Sequence, residues 1–142
     1  MTEMQAALGA SQMKRLNDYV VRRHQLAERY DQLLADLPLT IPKRHPQSYS
    51  AFHLYVIRLH LADINVSRRE VFETLRAQGI LVNIHYIPVH TQPYYQALGF
   101  RPGQFPNAET YYQEAISIPL FPALREAQQD EVVAALRRVL RS

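Results

Sequence analysis

Apolar residues recur every three or four positions through the first part of the chain. From residue 16 onward, the members of this stripe are Leu16, Tyr19, Val20, Leu26, Tyr30, Leu33, Leu34 and Leu37. The spacing predicts a long α-helix over residues 16–36, which ends before Pro38 because the residue preceding a proline is disfavoured in the α region. Arg23 interrupts the stripe, so the pattern favours a helix laid across a domain over a coiled coil.

Capping patterns, and glycines and prolines at the ends of segments, predict the other helices. Thr2 and Gln5 have the spacing of a capping box at the first residues of the chain, and Ser67 and Glu70 repeat that spacing. Gly79 is expected to be the left-handed residue just past the end of the helix that Ser67 begins. The remaining helices are expected at residues 93–98, at residues 107–114 with Asn107 as the cap, and at residues 126–140.

Runs of β-branched and aromatic residues predict three strands, near residues 50–59, 80–85 and 115–118. Residues 39–42 have the composition of a further short strand. Two long helices, these strands and the shorter helices between them predict an α+β fold over residues 1–142. The expected domain is a small, mainly antiparallel sheet covered by helices.

The composition is that of one soluble globular domain. The chain has 142 residues, of which 47% are hydrophobic and 20% are charged. It contains no cysteine, which excludes disulfides, thiolate catalysis and cysteine-based zinc sites. No apolar run approaches the roughly 20 residues that a membrane span needs, and no signal-peptide pattern precedes the first helix. We therefore expect a cytoplasmic protein with no membrane contact.

Arginines supply most of the positive charge, and the formal net charge is +3. They occur as pairs in separate segments: Arg22 and Arg23, Arg68 and Arg69, and Arg137 and Arg138. This distribution favours solvated helix faces. A second interpretation is attraction to an anionic ligand such as a nucleotide diphosphate, which needs only one or two of these side chains.

The candidate binding residues lie in the segment I-L-V-N-I-H-Y-I-P-V-H, at residues 80–90. Asn83, His85 and Tyr86 follow an apolar run just before Pro88, and a strand that presents polar groups at its end often points them into a cleft. His85 and His90 also invite a metal interpretation. Because Pro88 lies between them and no cysteine or carboxylate is near in sequence, hydrogen bonding to a ligand is favoured and no metal site is expected.

The rest of the sequence supplies no catalytic machinery. His53 is expected to be a structural residue within a half-buried strand. Lys14 and Lys43 are the only lysines, and neither lies in the apolar surroundings that activate an amine for covalent chemistry. The tyrosine pairs could stack on bases, but no RNA-binding strand motif accompanies them. A small basic interaction or RNA-binding module without catalysis is therefore the alternative to a ligand-binding enzyme domain.

Six segments in one order resemble a known family. They are M-T-E-M-Q-A-A-L-G from Met1, R-R-H-Q-L-A-E-R-Y-D from Arg22, H-L-Y-V-I-R-L from His53, G-I-L-V-N-I-H-Y-I-P-V-H from Gly79, Q-P-Y-Y from Gln92 and S-I-P-L-F-P from Ser117. Together they resemble the C-terminal domain of the DegT/DnrJ/StrS sugar aminotransferases over nearly the whole chain.

The resemblance implies a small domain of the aspartate-aminotransferase fold type. Residues 1–37 would then be a long interdomain helical segment, and residues 38–142 an α+β subdomain. Such enzymes use pyridoxal phosphate to transfer an amino group, typically from glutamate, to a 4-keto nucleotide sugar for surface polysaccharide or pseudaminic acid biosynthesis. They are usually homodimers with the active site between subunits, and no nucleic acid takes part.

The resemblance also implies which site residues this chain holds. Asn83, Ile84, His85 and Tyr86 match the segment that contacts the nucleotide sugar in the family. The cofactor lysine and most phosphate contacts lie in a large domain that precedes these motifs in the family. We therefore expect no catalytic and no cofactor-binding residue in this chain, and no pyridoxal phosphate bound to it alone.

Overall fold

The computed structural model describes residues 1–141. Its helices are α1 (Glu3–Met13), α2 (Leu16–Leu33), α3 (Arg68–Ala77), α4 (Pro93–Ala97), α5 (Pro106–Glu114) and α6 (Glu126–Leu140). A single 3₁₀ turn, Val89–Thr91, precedes α4. The strands are β1 (Leu39–Thr40), β2 (Tyr55–Leu59) and β3 (Ala115–Ile118).

The three strands form one antiparallel sheet in the order β1-β2-β3. Tyr55 pairs with Ile118 and Ile57 pairs with Ile116, while Leu39 of β1 pairs with Leu59 on the other edge of β2. Helices α2, α3 and α6 pack around this sheet and enclose the hydrophobic core. The predicted α+β fold with a small antiparallel sheet is confirmed.

Helix α2 begins where the apolar stripe predicts and ends at Leu33, three residues before the expected end at residue 36. Its second half is the buried part: Leu26, Ala27 and Tyr30 lie in the core, and the two leucines that follow at 34 and 37 complete it. The Tyr30 hydroxyl donates a hydrogen bond to the Pro119 carbonyl (3.0 Å). Helix α1, whose capping box has formed as expected, has no buried residue.

Strand β2 is shorter than predicted. Residues 50–54 were expected to extend it, but they form an irregular segment that ends at Tyr55. The reason is Phe52, whose φ of 45° lies in the left-handed region and breaks the extended backbone, while its ring is buried. His53 is therefore exposed and outside the strand, and the expectation of a half-buried structural histidine is wrong.

The predicted strand over residues 80–85 does not form. Only Asn83 pairs with another strand residue, Ser117 of β3, through Asn83 N to Ser117 O (3.1 Å) and Ser117 N to Asn83 O (2.8 Å). Pairing does not extend beyond this residue, and the next N–H, that of Ile84, bonds to the Asn83 side chain (Oδ1, 2.9 Å). Val82 still fills the core, so the apolar run serves packing and not a sheet.

The start of α5 also differs from the prediction. Pro106 occupies the first helical position and Phe105 precedes it as the cap residue, so Asn107 lies inside the first turn. Proline is favoured at that position because its fixed φ suits a helix and its missing N–H would have had no partner there. The short helix before it ends at Ala97, one residue before the expected end.

Candidate functional site

The polar groups of residues 83–86 come together where this segment crosses the end of β3. The backbone pairing of Asn83 with Ser117 fixes the position of the segment on the sheet. His85 Nδ1 lies 2.9 Å from Ser117 Oγ, and His85 Nε2 lies 3.2 Å from Asn83 Nδ2. Both ring nitrogens of His85 are therefore held by the chain itself, and the imidazole has one fixed orientation.

Tyr86 leaves this cluster toward solvent. Its side chain is 75% exposed, and its ring meets the His85 ring edge to face at 4.7 Å between centroids. The peptide bond between the two residues is cis. Ile84 is half-buried beside them. The predicted residues Asn83, Ile84, His85 and Tyr86 thus form one contiguous surface in which a rigid imidazole lies next to an exposed phenol.

Ser117 is a member of this cluster that the sequence analysis did not single out. It is 5% exposed and stands in the otherwise apolar strand A-I-S-I. A buried hydroxyl needs a hydrogen-bond partner, so a lone serine in such a strand is a signal that a polar group approaches it from another segment. The identity of that group, His85, depends on a contact between residues 32 positions apart.

His90 does not join His85. It is 7% exposed, and its Nε2–H donates to Glu109 Oε1 of α5 at 2.8 Å. Glu109 also accepts from the backbone N–H groups of Gly103 (2.7 Å) and Phe105 (3.4 Å). This carboxylate ties the 3₁₀ turn after residue 88 to the loop before α5, so His90 supports the segment that carries the site.

The hydrogen bond from His90, together with those from Gly103 and Phe105, holds the pKa of Glu109 below its usual range. A group with a depressed folded-state pKa stabilises the protein above its ordinary pKa and loses that contribution as the pH falls through the folded value. As the pH is lowered below about 4.5, we expect the urea midpoint to decrease less in Glu109→Gln than in the wild type. Glu131→Gln, which changes an exposed glutamate of α6, is the control and should keep the wild-type acid dependence.

Each arginine of the three pairs has a partner within the chain, and four of the six are half-buried, so the interpretation of them as solvated faces applies only to Arg69 and Arg138. The partners of five of these arginines are the Leu124 carbonyl for Arg22, the Phe52, His53 and Leu120 carbonyls for Arg23, the Tyr112 carbonyl for Arg68, Asp36 for Arg137 and Gln78 for Arg138. Arg69 pairs with Glu73 on the exposed face of α3. The Arg137 hydrogen bond holds the pKa of Asp36 below its usual range.

Residues 1–141 show neither a cluster of metal-ligating side chains nor a membrane-spanning helix. Within that range no group of three or more histidine, aspartate or glutamate side chains is placed to hold a metal ion. No helix in the same range is long and apolar enough to cross a membrane. Lys14 and Lys43 are both exposed, so neither amine is enclosed in the desolvated pocket that covalent amine chemistry requires.

Comparisons with known proteins converge on one family. A profile of the DegT/DnrJ/EryC1/StrS aminotransferase family matches residues 1–137. The spore coat polysaccharide biosynthesis protein SpsC of Bacillus subtilis is 38% identical over 144 residues, which cover 99% of this chain and 37% of SpsC. The erythromycin biosynthesis protein EryC1 of Saccharopolyspora erythraea is 38% identical over 137 residues, covering 95% of this chain and 36% of EryC1.

Solved structures agree with this match. PseC of Helicobacter pylori, an aminotransferase involved in the biosynthesis of pseudoaminic acid, superimposes with a TM-score of 0.89 at 28% identity, over 99% of this chain and 38% of PseC. DesV of S. venezuelae, solved with a ketimine intermediate, gives a TM-score of 0.87 at 32% identity, over 97% of this chain and 36% of DesV. The chain thus spans a little over a third of the length of the relatives it matches.

Proposed function

Because the chain belongs to the DegT/DnrJ/EryC1/StrS aminotransferase family, we propose that it is the small, substrate-side domain of a pyridoxal-phosphate-dependent sugar aminotransferase. In this proposal residues 1–37 are the helical connection between domains and the rest is the substrate-side unit. The whole enzyme transfers an amino group, with glutamate as the donor, to the keto carbon of a 4-keto nucleotide sugar.

The substrate class is supported by two relatives and by the sequence motifs. SpsC belongs to spore coat polysaccharide biosynthesis and PseC to pseudoaminic acid biosynthesis. The motifs also resemble those of the transaminase that makes UDP-4-amino-4,6-dideoxy-N-acetyl-β-L-altrosamine. A UDP-linked 4-keto-6-deoxy hexose is therefore the proposed substrate.

The observation that carries the proposal is the rigid cluster at residues 83–86. An imidazole whose two nitrogens are already held cannot reorient on binding, so little side-chain entropy is lost when a ligand meets it. The exposed Tyr86 ring beside it offers a flat face and a hydroxyl. Such a surface can fix the orientation of a sugar, which is the contribution a protein makes to cofactor-driven chemistry.

A titration of the isotope-labelled chain with UDP-N-acetylglucosamine tests this assignment. We expect the backbone amide signals of residues 83–86 to shift in a saturable way at millimolar ligand, while those of the exposed loop at residues 43–48 stay in place. Shifts confined to other regions, or none, would contradict the assignment. Salt-sensitive binding of a labelled RNA oligonucleotide would favour the interaction module instead.

The residues of this chain do not fit the cofactor. Pyridoxal phosphate needs a lysine in a desolvated pocket and a helix N-terminus or backbone nest for its phosphate. Lys14 lies just after α1 and Lys43 in the loop after β1, and both are exposed. In the proposal, a further domain holds the cofactor and supplies the reacting lysine.

Mixing the purified chain with pyridoxal phosphate checks this point. We expect no saturable visible absorbance from covalently bound cofactor, and no difference between the wild type and Lys14→Ala or Lys43→Ala. A saturable band that disappears on replacing one of these lysines would show that the chain holds its own cofactor site.

We propose that the whole enzyme is a cytoplasmic homodimer whose active site lies between subunits. Exposed apolar side chains on this chain are consistent with surfaces that pack in the assembly, among them Met4 and Leu8 of α1 and Leu81, Ile87 and Val89 around the site segment. Sedimentation of the whole enzyme, which should run as a dimer at micromolar concentration, measures this directly.

A further inference from the structure

The hydrogen bonds around Asn83 fix which end of its side-chain amide faces His85. The backbone N–H of Ile84 can only donate, and it lies 2.9 Å from Asn83 Oδ1. The oxygen end of the amide is therefore occupied by Ile84. The other end, Nδ2, lies 3.2 Å from His85 Nε2. An amide nitrogen donates and does not accept, so His85 Nε2 accepts this bond.

The ring proton of His85 is located by these contacts. A neutral imidazole carries one N–H, and Nε2 already acts as an acceptor, so the proton is on Nδ1. Nδ1 lies 2.9 Å from Ser117 Oγ, which accepts from it. Ser117 is 5% exposed and its backbone pairs in both directions with Asn83. One residue of β3 thus holds both the backbone of the site segment and the ring of its histidine.

We propose that Asn83 and Ser117 are positioning residues that hold His85 as the Nδ1–H tautomer, with its one N–H given to Ser117 and its one lone pair, on Nε2, taken up by Asn83. This inference rests on the proposed function for the identity of the ligand. A phosphate oxygen only accepts hydrogen bonds, and a neutral imidazole whose single N–H is bonded to Ser117 has no donor to offer it. We therefore expect the His85 ring to pack against the sugar of a nucleotide sugar and not to bind its diphosphate.

Long-range ¹⁵N NMR of the histidine rings tests the tautomer on the full chain. At about pH 8.5, well above the ordinary pKa of imidazole, the two ring nitrogens of a neutral histidine have well-separated shifts. The chain has six histidines, and the signals that vanish in His85→Gln identify His85. We expect Nδ1 of His85 to have the protonated type of shift and Nε2 the unprotonated type. The reverse assignment would overturn the proposal.

The variant Asn83→Asp tests whether Asn83 determines the tautomer of His85. A carboxylate only accepts, so it requires a donor at Nε2, and the Ser117 hydroxyl can in turn donate to Nδ1. We expect the two His85 nitrogens to exchange their shift types in this variant. Asn17→Asp, a matched change at an exposed position of α2, should leave them as in the wild type. An unchanged His85 in Asn83→Asp would remove Asn83 from the proposed role.

Ser117→Ala and Ser117→Thr separate positioning from packing. Alanine removes the Nδ1 acceptor and should give a mixture of tautomers, while threonine keeps the hydroxyl and should restore the wild-type pattern. A wild-type pattern in Ser117→Ala would contradict the role of Ser117. Should the buried change prevent folding, the exposed Asn83→Asp variant still decides between the two tautomers.

The contact between His85 and the sugar is tested by a separate measurement, whose outcomes also distinguish it from the proposed function. In the titration above, UDP-N-acetylglucosamine should move the His85 ring signals, and UDP at the same concentration should not. Equal shifts with UDP would overturn the assignment of His85 to the sugar. Absence of any ligand shift, with the tautomer as expected, would count against the proposed function and leave the positioning of His85 intact.

Discussion

Replacing Arg23 with alanine is expected to lower the free energy of unfolding by about 3 kcal/mol, since hydrogen bonds to a charged group are worth about 1.5–3 kcal/mol each and the side chain is only partly buried. Its Nη1 lies 2.8 Å from the Phe52 carbonyl, 3.2 Å from the His53 carbonyl and 3.0 Å from the Leu120 carbonyl. These contacts tie α2 to the irregular segment before β2 and to the segment after β3. Alanine leaves all three oxygens without this donor.

The strained backbone at Phe52 adds to the expected effect. A non-glycine residue in the left-handed region costs free energy and persists only when its surroundings hold it there. Arg23 helps to hold Phe52 in this conformation, because its guanidinium donates a hydrogen bond to the Phe52 carbonyl. Loss of the guanidinium should therefore loosen this segment as well as remove its own hydrogen bonds.

Urea denaturation measures the difference. Arg23→Lys should be intermediate, because the lysine ammonium lies one bond nearer the backbone than Nη1 and cannot reach all three carbonyls. The control is Arg69→Ala on the exposed face of α3, where only the i,i+4 pair with Glu73 is lost and no measurable change is expected. If Arg23→Ala unfolds at the same midpoint as this control, the structural role assigned to Arg23 is wrong.

Elements whose signals are local in sequence were predictable. The capping box at Ser67 and Glu70 formed as expected, and α3 ends before Gly79, whose φ is 79°. Helix α6 and strand β3 have the expected bounds. In these cases the residues that decide the structure lie within one turn or one strand of each other, so their pattern is visible in the sequence.

Elements that depend on distant partners were not predictable. The run at residues 80–85 has the composition of a strand, but a strand needs a ladder, and only Asn83 finds a partner in β3. Leu81, apolar as in a strand, is 73% exposed. Arg23 looked like an interruption of the stripe because the carbonyls it binds lie 29 to 97 residues away.

The sequence predicted which segment holds the candidate site, but it did not predict how the side chains of the site are arranged. Asn83, His85 and Tyr86 were singled out from the apolar run and its proline, and Ile84 from the family resemblance. The structure places the four together and adds Ser117, which lies 32 positions from His85. His90, in contrast, shares the segment but bonds to Glu109, because the 3₁₀ turn after Pro88 carries it away from the cluster.

The most direct test of the account measures substrate turnover and cofactor retention in the same variant. The experiment uses the proposed whole enzyme, in which this chain is joined to a cofactor-binding domain. His85→Ala is expected to lower kcat/KM for the 4-keto nucleotide sugar by about 100-fold, because misplacing the sugar at the reacting centre has a cost of that order. His53→Ala, which changes an exposed histidine outside the site cluster, is the matched control and should keep wild-type turnover.

The visible absorbance of the bound cofactor is recorded on the same samples. We expect His85→Ala to retain the wild-type cofactor spectrum and stoichiometry while its turnover falls, since in the proposed function residues 83–86 contact the sugar and a different domain holds the cofactor. Loss of the cofactor from His85→Ala, or full turnover with the cofactor in place, would contradict the assignment of this chain to the substrate side of the enzyme.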